Sequence, residues 1–225
     1  MRTAIALVTL VYILAIGSGL RAQRFDDAVR EDFFAGMSGD MARFDRAMTF
    51  CEQALAADPN NAAALVWHGA GLMVRSGIAF RGGRADEGLA LRAKGLREMD
   101  DAAAMKPDDV QVLIPRAAIL LASARFAPAA QARTMAAAAA ADYERVLAIE
   151  APVVASLAEH PRGELLGGLA TAYRISGNAD RASAYLRQIA RELPGTVYDR
   201  KAQAWLADLS AVRQDDHFCM GCHSR

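Results

Sequence analysis

The sequence is poor in cysteine and in aromatic residues and has no excess of charge of either sign, and each shortage excludes a class of protein. Among 225 residues there are 3 cysteines and 7% aromatic side chains, and 26 basic residues balance 26 acidic ones. Three cysteines cannot form the disulfide framework of a small secreted domain, and a chain of this length buries a core without one. The balanced charge provides no broad positive field, so nucleic acid is not an expected partner.

The motifs of hydrolytic and phosphoryl-transfer enzymes are also missing. The sequence contains no glycine-rich phosphate loop and no candidate Ser-His-Asp triad, and it has only 4 histidines. Paired carboxylates occur only as Asp-Asp dipeptides beginning at positions 26, 100, 108 and 215, which we expect to be solvated. We therefore predict that the protein is not an enzyme.

Residues 1–22 are typical of a secretory signal peptide. Met1 and Arg2 form a short positive start, a mostly apolar run follows over residues 3–16, and small residues precede Ala22. An uncleaved membrane anchor is the alternative, because residues 3–20 form an uncharged stretch at the lower limit for crossing a bilayer. Both alternatives predict that the rest of the chain lies outside the cytoplasm, in the periplasm or a comparable compartment. An uncleaved anchor would in addition keep it associated with the membrane.

Residues 23–212 have the pattern of an all-α domain. Apolar residues recur three and four positions apart, as at Leu169, Ala172 and Tyr173, and this spacing places them on one face of a helix. No segment alternates apolar and polar residues between hairpin turns, so strands are not predicted. We expect extra length over residues 76–88, where Arg81-Gly-Gly-Arg84 indicates a loop, and a terminal helix over residues 198–212.

Two segments of this domain resemble the tetratricopeptide repeat (TPR). Residues 42–61 match its second helix, with small residues at Ala47 and Ala54 before a closing Asp-Pro-Asn-Asn turn. Residues 166–194 follow the order helix, Gly-Asn turn, helix, proline. The resemblance implies a TPR-like helical-repeat solenoid that is capped by the terminal helix and docks a partner protein on its concave surface. An ordinary antiparallel helical bundle is the alternative.

The most specific motif lies in the C-terminal tail, residues 213–225. Cys219, Cys222 and His223 have the Cys-x-x-Cys-His spacing of haem attachment, and in these five positions the tail resembles the c-type cytochromes. Two thiols at this spacing add to the two vinyl groups of one haem, and the adjacent imidazole binds the iron. The resemblance implies one covalent haem c, with Cys219 and Cys222 as thioether anchors and His223 as the proximal iron ligand. We expect this tail to lie outside the repeat core.

Three other chemistries are open to the same residues. The two cysteines have the spacing of a thiol–disulfide redox pair, although no strand is predicted before them. With His217 and His223 they also match the ligand types of a zinc site. A structural disulfide that ties down the tail is the third alternative.

The sequence does not identify a distal haem ligand. His68 is expected to be a core side chain hydrogen-bonded to a backbone group. His160 is expected to be solvated in a turn, and His217 to be a solvated tail residue. Met220 lies inside the attachment loop and is excluded as a ligand to its own haem. The third cysteine, Cys51, falls at a large apolar position of its helix, where a buried and unreactive side chain is expected.

These features predict an exported monohaem c-type cytochrome that transfers electrons. Its TPR-like body would dock a redox partner protein, a membrane complex of the respiratory or photosynthetic type, or a second copy of the chain. The alternative is a TPR-type scaffold protein of a periplasmic or membrane-associated complex. In that case the Cys-x-x-Cys-His tail would be structural or would bind a metal.

Overall fold

The structure is a computed structural model that describes residues 24–216 and residue 218. Over these residues the chain forms nine α-helices and two short 3-10 helices, with no strand. The all-α prediction is therefore confirmed. The α-helices are Phe25–Met37 (α1), Met41–Ala57 (α2), Ala62–Arg81 (α3), Ala85–Met105 (α4), Val110–Ala124 (α5), Ala129–Glu150 (α6), Glu159–Ser176 (α7), Ala179–Glu192 (α8) and Val197–Ala207 (α9). The 3-10 helices are Val154–Ser156 and Leu209–Ala211.

The helices pack in pairs that follow the order of the sequence. α1 packs on α2, α3 on α4, α5 on α6 and α7 on α8, and α9 covers α8 at the C-terminal end. The first helices of neighbouring pairs also touch, α1 with α3, α3 with α5 and α5 with α7. This sequential packing is consistent with a helical repeat.

Side-chain caps explain where several helices begin. The side chains of Asp40, Asn61 and Asn178 each accept a hydrogen bond from the backbone N–H three residues later, at the first turns of α2, α3 and α8. Before Asn178, Gly177 ends α7 in the left-handed region at φ +93°, which glycine adopts without steric strain. The predicted Gly-Asn turn between two helices is confirmed at this point.

The loop predicted at Arg81-Gly-Gly-Arg84 is confirmed, since α3 ends at Arg81 and α4 begins at Ala85. Two other segments differ from the sequence prediction. His160 lies in the first turn of α7, where Pro161 is tolerated because the first N–H groups of a helix have no intrahelical partner. The terminal helix ends at Ala207, five residues earlier than predicted, and a 3-10 turn follows.

α3 and α4 cross closely at two glycines. A Cβ atom added to Gly69 would lie 2.7 Å from the carbonyl oxygen of Gly95, and one added to Gly95 would lie 2.6 Å from that of Gly69. Two glycines at the crossing therefore allow the two backbones to meet. In the part of the chain that the structure describes, α3 is the one helix long and apolar enough to cross a membrane. However, 56% of its most apolar stretch is buried inside the protein, which is typical of a core helix.

Candidate functional site

The predicted haem-binding residues Cys219, Cys222 and His223 lie outside the described residues, as do His217 and residues 1–22. The structure does describe the chain up to Asp216 and again at Phe218, the residue directly before the first cysteine.

Asp216 binds the protein body through three hydrogen bonds. Its Oδ1 accepts from Lys201 Nζ at 2.6 Å and its Oδ2 from Trp205 Nε1 at 2.9 Å, both on α9. Its carbonyl oxygen accepts from Arg174 Nη2 on α7 at 3.1 Å. Burial lowers the pKa of Arg174, against the raising effect of the Asp216 charge. Asp216 therefore connects the tail to both α7 and α9.

Phe218 is buried, with 8% of its surface exposed, and belongs to the hydrophobic core. Its ring meets the Trp205 ring edge to face, with centroids 4.8 Å apart and an interplanar angle of 78°. It also fills the space beside Gly167 of α7, where an added Cβ atom would lie 2.5 Å from Phe218 Cγ. The expectation that the tail lies outside the core is therefore wrong for Phe218. Packing in this slot removes the apolar surface of its ring from water, which is favourable.

Further hydrogen bonds hold the chain between α9 and Asp216. Gln214 Nε2 donates to the carbonyl oxygen of Ala124, the last residue of α5, at 2.7 Å, and to that of Ala127, between α5 and α6, at 3.3 Å. Arg174 Nη1 donates to the carbonyl oxygen of Val212 at 3.2 Å. Residues 212–216 thus run from α9 past the end of α5 and are fixed on the body.

An open pocket of about 610 Å³ lies between α9 and the start of the tail. This volume is within the range of roughly 300–1,000 Å³ that small-molecule and cofactor sites occupy. Most of its lining is apolar, with charged residues among the remainder. The lining residues are Ala204, Trp205, Ala207, Asp208, Ala211, Val212, Arg213, Asp215 and Asp216.

The described lining of this pocket does not fit a haem. Four of the nine described residues that line it are charged, and the Trp205 ring is buried against Phe218 and Arg174. The described residues that line it include no histidine or methionine, so this pocket supplies no second axial ligand. No group of three potential metal-ligating side chains occurs in the described part of the chain either.

The two described histidines are engaged elsewhere. His68 is buried, and its Nδ1 lies 2.6 Å from Glu98 Oε2, while its Nε2 lies 3.8 Å from Glu52 Oε1. Its partners are thus carboxylates on α2 and α4, and not the backbone group that was predicted. His160 Nδ1 lies 2.8 Å from the Tyr198 hydroxyl, so this half-exposed side chain is hydrogen-bonded and not simply solvated.

The prediction for Cys51 is confirmed. The residue is a free cysteine with no exposed surface in the core of α2. Burial raises the pKa of its thiol to about 12, because an ionised sulfur would lose its hydration there. The thiolate is the reactive form of cysteine, so Cys51 is inert at neutral pH.

The Asp-Asp dipeptides are not uniformly solvated. Asp26 is buried and pairs with Arg24 and Arg30, and Asp216 is held by the contacts described above. Asp215 fits the prediction better, since it is about half exposed and pairs with the exposed Arg213. The hydrogen bond from Arg213 holds the pKa of Asp215 below its ordinary value.

Sequence reasoning also missed a polar cluster where α6, α7 and α8 meet. The hydroxyls of Tyr173 and Tyr185 donate to one oxygen of Glu144 at 2.8 and 2.7 Å, and Arg181 binds the same oxygen at 2.5 Å. The two tyrosine rings stack at 5.9 Å, and burial and the Glu144 charge raise both hydroxyl pKa values to about 12. No short motif marks these residues, which are brought together from three helices.

Comparison with known proteins assigns no relatives: no protein-family model, no curated protein and no solved structure matches the chain.

Proposed function

We propose that the protein is an exported monohaem c-type cytochrome that transfers electrons. The observation that carries the proposal is the Cys-x-x-Cys-His motif, with Cys219 and Cys222 as thioether anchors and His223 as the proximal iron ligand. When bound, haem c supplies reversible one-electron cycling between Fe(III) and Fe(II). The charged and apolar residues of the chain set where the group lies and how much water reaches it.

The contacts of the preceding residues support this proposal. Asp216 and Phe218 are bound to α7 and α9, so the first cysteine follows a residue that is fixed in the core. Electron transfer requires a cofactor at a defined position relative to the protein surface. A tail whose preceding residues are held by several hydrogen bonds and a buried ring meets this requirement better than a freely moving one.

The helical body is proposed to be a TPR-like solenoid. The contacts between α1 and α3, α3 and α5, and α5 and α7 support this assignment, because stacked first helices line the concave surface of such repeats. This surface would dock a redox partner protein or a membrane complex of the respiratory or photosynthetic type. Residues 1–22 would direct the chain to the periplasm, the compartment in which haem is attached to c-type cytochromes.

The test is to produce the full chain in a host that matures c-type cytochromes and to record its visible spectrum. A sharp α-band after reduction, with haem that stays on the chain under denaturing conditions, is the expected result. Cys222→Ser should lose this covalent attachment and keep its helical content, and the matched variant Cys51→Ala should keep the haem. A colourless wild-type protein would overturn the proposal.

A scaffold function is the second candidate, and the sequential packing of the helical pairs favours it. In this case the helical surface binds assembly partners, and the tail holds a zinc ion or a disulfide. Metal analysis and mass spectrometry separate the two candidates, because zinc or a loss of two hydrogens would be found in place of a haem.

A further inference from the structure

We propose that the outward face of α8 is a docking surface for an acidic segment of a partner protein. This face lies on the second helix of the fourth pair, so it is separate from the first helices that would line the concave surface, and it involves neither the haem nor the tail. An open pocket of about 370 Å³ lies along it. The pocket is lined by Arg181, Ala184, Tyr185, Arg187, Gln188 and Arg191.

The spacing of residues in α8 places its arginines together on this side. Arg181, Arg187 and Arg191 are exposed, and with the exposed Ala184 they follow one another at intervals of three and four residues. These three arginines define the arginine face. The opposite side of the helix is fully buried, with Ala182, Leu186 and Ile189.

Two arginines of this face have no partner within the chain. Arg187 and Arg191 make no hydrogen bond or ion pair with any described residue, whereas the exposed Arg84 and Arg145 pair with carboxylates of the chain. Like charges four residues apart lower the stability of a helix. Arg191 suits the negative C-terminal end of the helix dipole, but Arg187 lies one turn earlier. Helix stability therefore does not explain the pair.

The third arginine of the face is held in position by the polar cluster around Glu144. Arg181 Nη2 donates to Glu144 Oε1 at 2.5 Å, and its guanidinium lies over the Tyr173 ring, 4.4 Å from the centroid. The Tyr185 hydroxyl donates to the same oxygen at 2.7 Å. Glu144 balances the charge of Arg181, so the surplus positive charge at the pocket is that of the other two arginines.

The chemistry of the arginine face suits carboxylate groups. A guanidinium presents parallel N–H donors that match the two oxygens of a carboxylate. Arg187 and Arg191 are one helical turn apart, roughly 6 Å along the axis, which allows them to bind neighbouring carboxylates of a single segment. No acidic residue is among the described residues that line the pocket, so an incoming carboxylate meets no repulsion there.

A lipid surface suits the arginine face less well. Helices that lie on membranes expose large apolar side chains beside their basic residues. In α8 the large apolar and aromatic residues are all buried, namely Tyr185, Leu186 and Ile189. Membrane-binding basic clusters also contain about four to eight basic residues, compared with the three arginines here. These differences favour a protein partner.

The test measures binding of a fluorescent deca-glutamate peptide to the full chain by anisotropy. We expect saturable binding that weakens as the salt concentration rises, because exposed charge pairs are screened. Arg187→Gln/Arg191→Gln should weaken the binding about tenfold through the loss of charge-assisted hydrogen bonds. Its helical content should be unchanged, since both side chains are exposed.

Arg97→Gln/Arg133→Gln is the matched control. Arg97 on α4 and Arg133 on α6 are exposed, and they line neither described pocket. Their substitution changes the net charge of the protein by the same amount as that of Arg187 and Arg191. The control variant should bind the peptide as tightly as the wild type does, which would assign the effect to the arginine face and not to the total charge.

Other occupants of the face give different results, and each would overturn the proposal. A wild type that does not bind the peptide, or equal binding by Arg187→Gln/Arg191→Gln, would show that the face docks no acidic segment. Phosphatidylglycerol vesicles that bind through these arginines while the peptide does not would indicate a membrane. Inorganic phosphate that displaces the peptide at equal concentration would indicate a small-anion site, and self-association that is lost in the variant would indicate a second copy. None of these outcomes bears on the proposed haem.

Discussion

Phe218 occupies the space that a side chain at residue 167 would fill. Gly167 lies on α7, and a Cβ atom added there would lie 2.5 Å from Phe218 Cγ. The aromatic ring consequently packs directly on the backbone of the helix. This contact joins the residue that precedes the cysteine pair to the first helix of the fourth helical pair.

Gly167→Ala should displace Phe218 and destabilise the protein. Replacing a helical glycine with alanine normally gains about 0.5–1 kcal/mol, but forcing an extra carbon into a packed site loses about 1–3 kcal/mol. We expect the strain to prevail, with a net fall in the free energy of unfolding measured by urea titration. Gly77→Ala on α3 is the matched control and should be stabilising, since its Cβ atom would meet Arg81 Nη1 at an ordinary 3.4 Å.

A double-mutant cycle tests whether Phe218 is the cause of this strain. In the Phe218→Ala background, Gly167→Ala should become stabilising by about 0.5–1 kcal/mol, because the ring that it meets is gone. If the two substitutions destabilise additively, Phe218 does not occupy the slot beside Gly167.

Asp216→Ala should destabilise the protein by about 1–3 kcal/mol, because Trp205 Nε1 and Lys201 Nζ lose their acceptor. The unfolding midpoint should fall and the Trp205 fluorescence should change. Asp215→Ala is the control, since its exposed pair with Arg213 contributes within about 0.5 kcal/mol. Equal effects of the two substitutions would show that Asp216 does not fix the tail.

The titration of Asp142 is expected to lower the free energy of unfolding as the pH rises. Burial raises its pKa from 3.8 to about 6 in the folded protein, against the lowering effect of Arg116, which binds both its oxygens at 2.6 and 2.7 Å. Between pH 3.8 and about 6, Asp142 is protonated in the folded state and ionised in the unfolded state. Its contribution to the free energy of unfolding is therefore full below pH 3.8 and is lost as the pH rises through about 6.

The measurement is the free energy of unfolding of wild type minus that of Asp142→Asn, followed across pH. Other carboxyl groups titrate in both proteins and cancel in the difference. We expect the difference to fall as the pH rises from about 4 to about 6.5 and then to level off. A difference that increases over this range would mean that the ion pair with Arg116 dominates and that the pKa of Asp142 is lowered.

Thiol titration distinguishes the haem site from the other uses of the cysteine pair. In the haem-loaded protein no thiol should react at pH 8, since Cys51 is buried with a pKa of about 12 and the other two cysteines form thioethers. In denaturant one thiol, that of Cys51, should react. Three reactive thiols after reduction or chelation in denaturant would support a disulfide or a zinc site.

Helix positions could be predicted from the sequence where local chemistry decides them. The turn at Gly177-Asn178 follows from glycine in the left-handed region and an asparagine cap, and both act within a few residues. The loop predicted at Arg81-Gly82-Gly83-Arg84 is likewise found between α3 and α4, with Gly83 at φ +75°. Local signals mark such a turn but not how far the helices extend on either side.

Contacts between distant parts of the chain could not be predicted in this way. Phe218 and Gly167 are far apart in the sequence, and periodicity does not show that the ring enters the slot on α7. The carboxylate partner of His68, Glu98, likewise comes from the neighbouring helix. An aromatic residue directly before the first cysteine was the only signal in the sequence that pointed to the anchoring of the tail.

The most direct test of the central claim is the intact mass and reduced spectrum of the full chain from a host that matures c-type cytochromes. One haem per chain, seen as a haem-sized increment in the denatured mass and a sharp α-band, is the result that the motif at Cys219, Cys222 and His223 predicts. A colourless protein whose mass equals that of the unmodified chain, with or without residues 1–22, would contradict it.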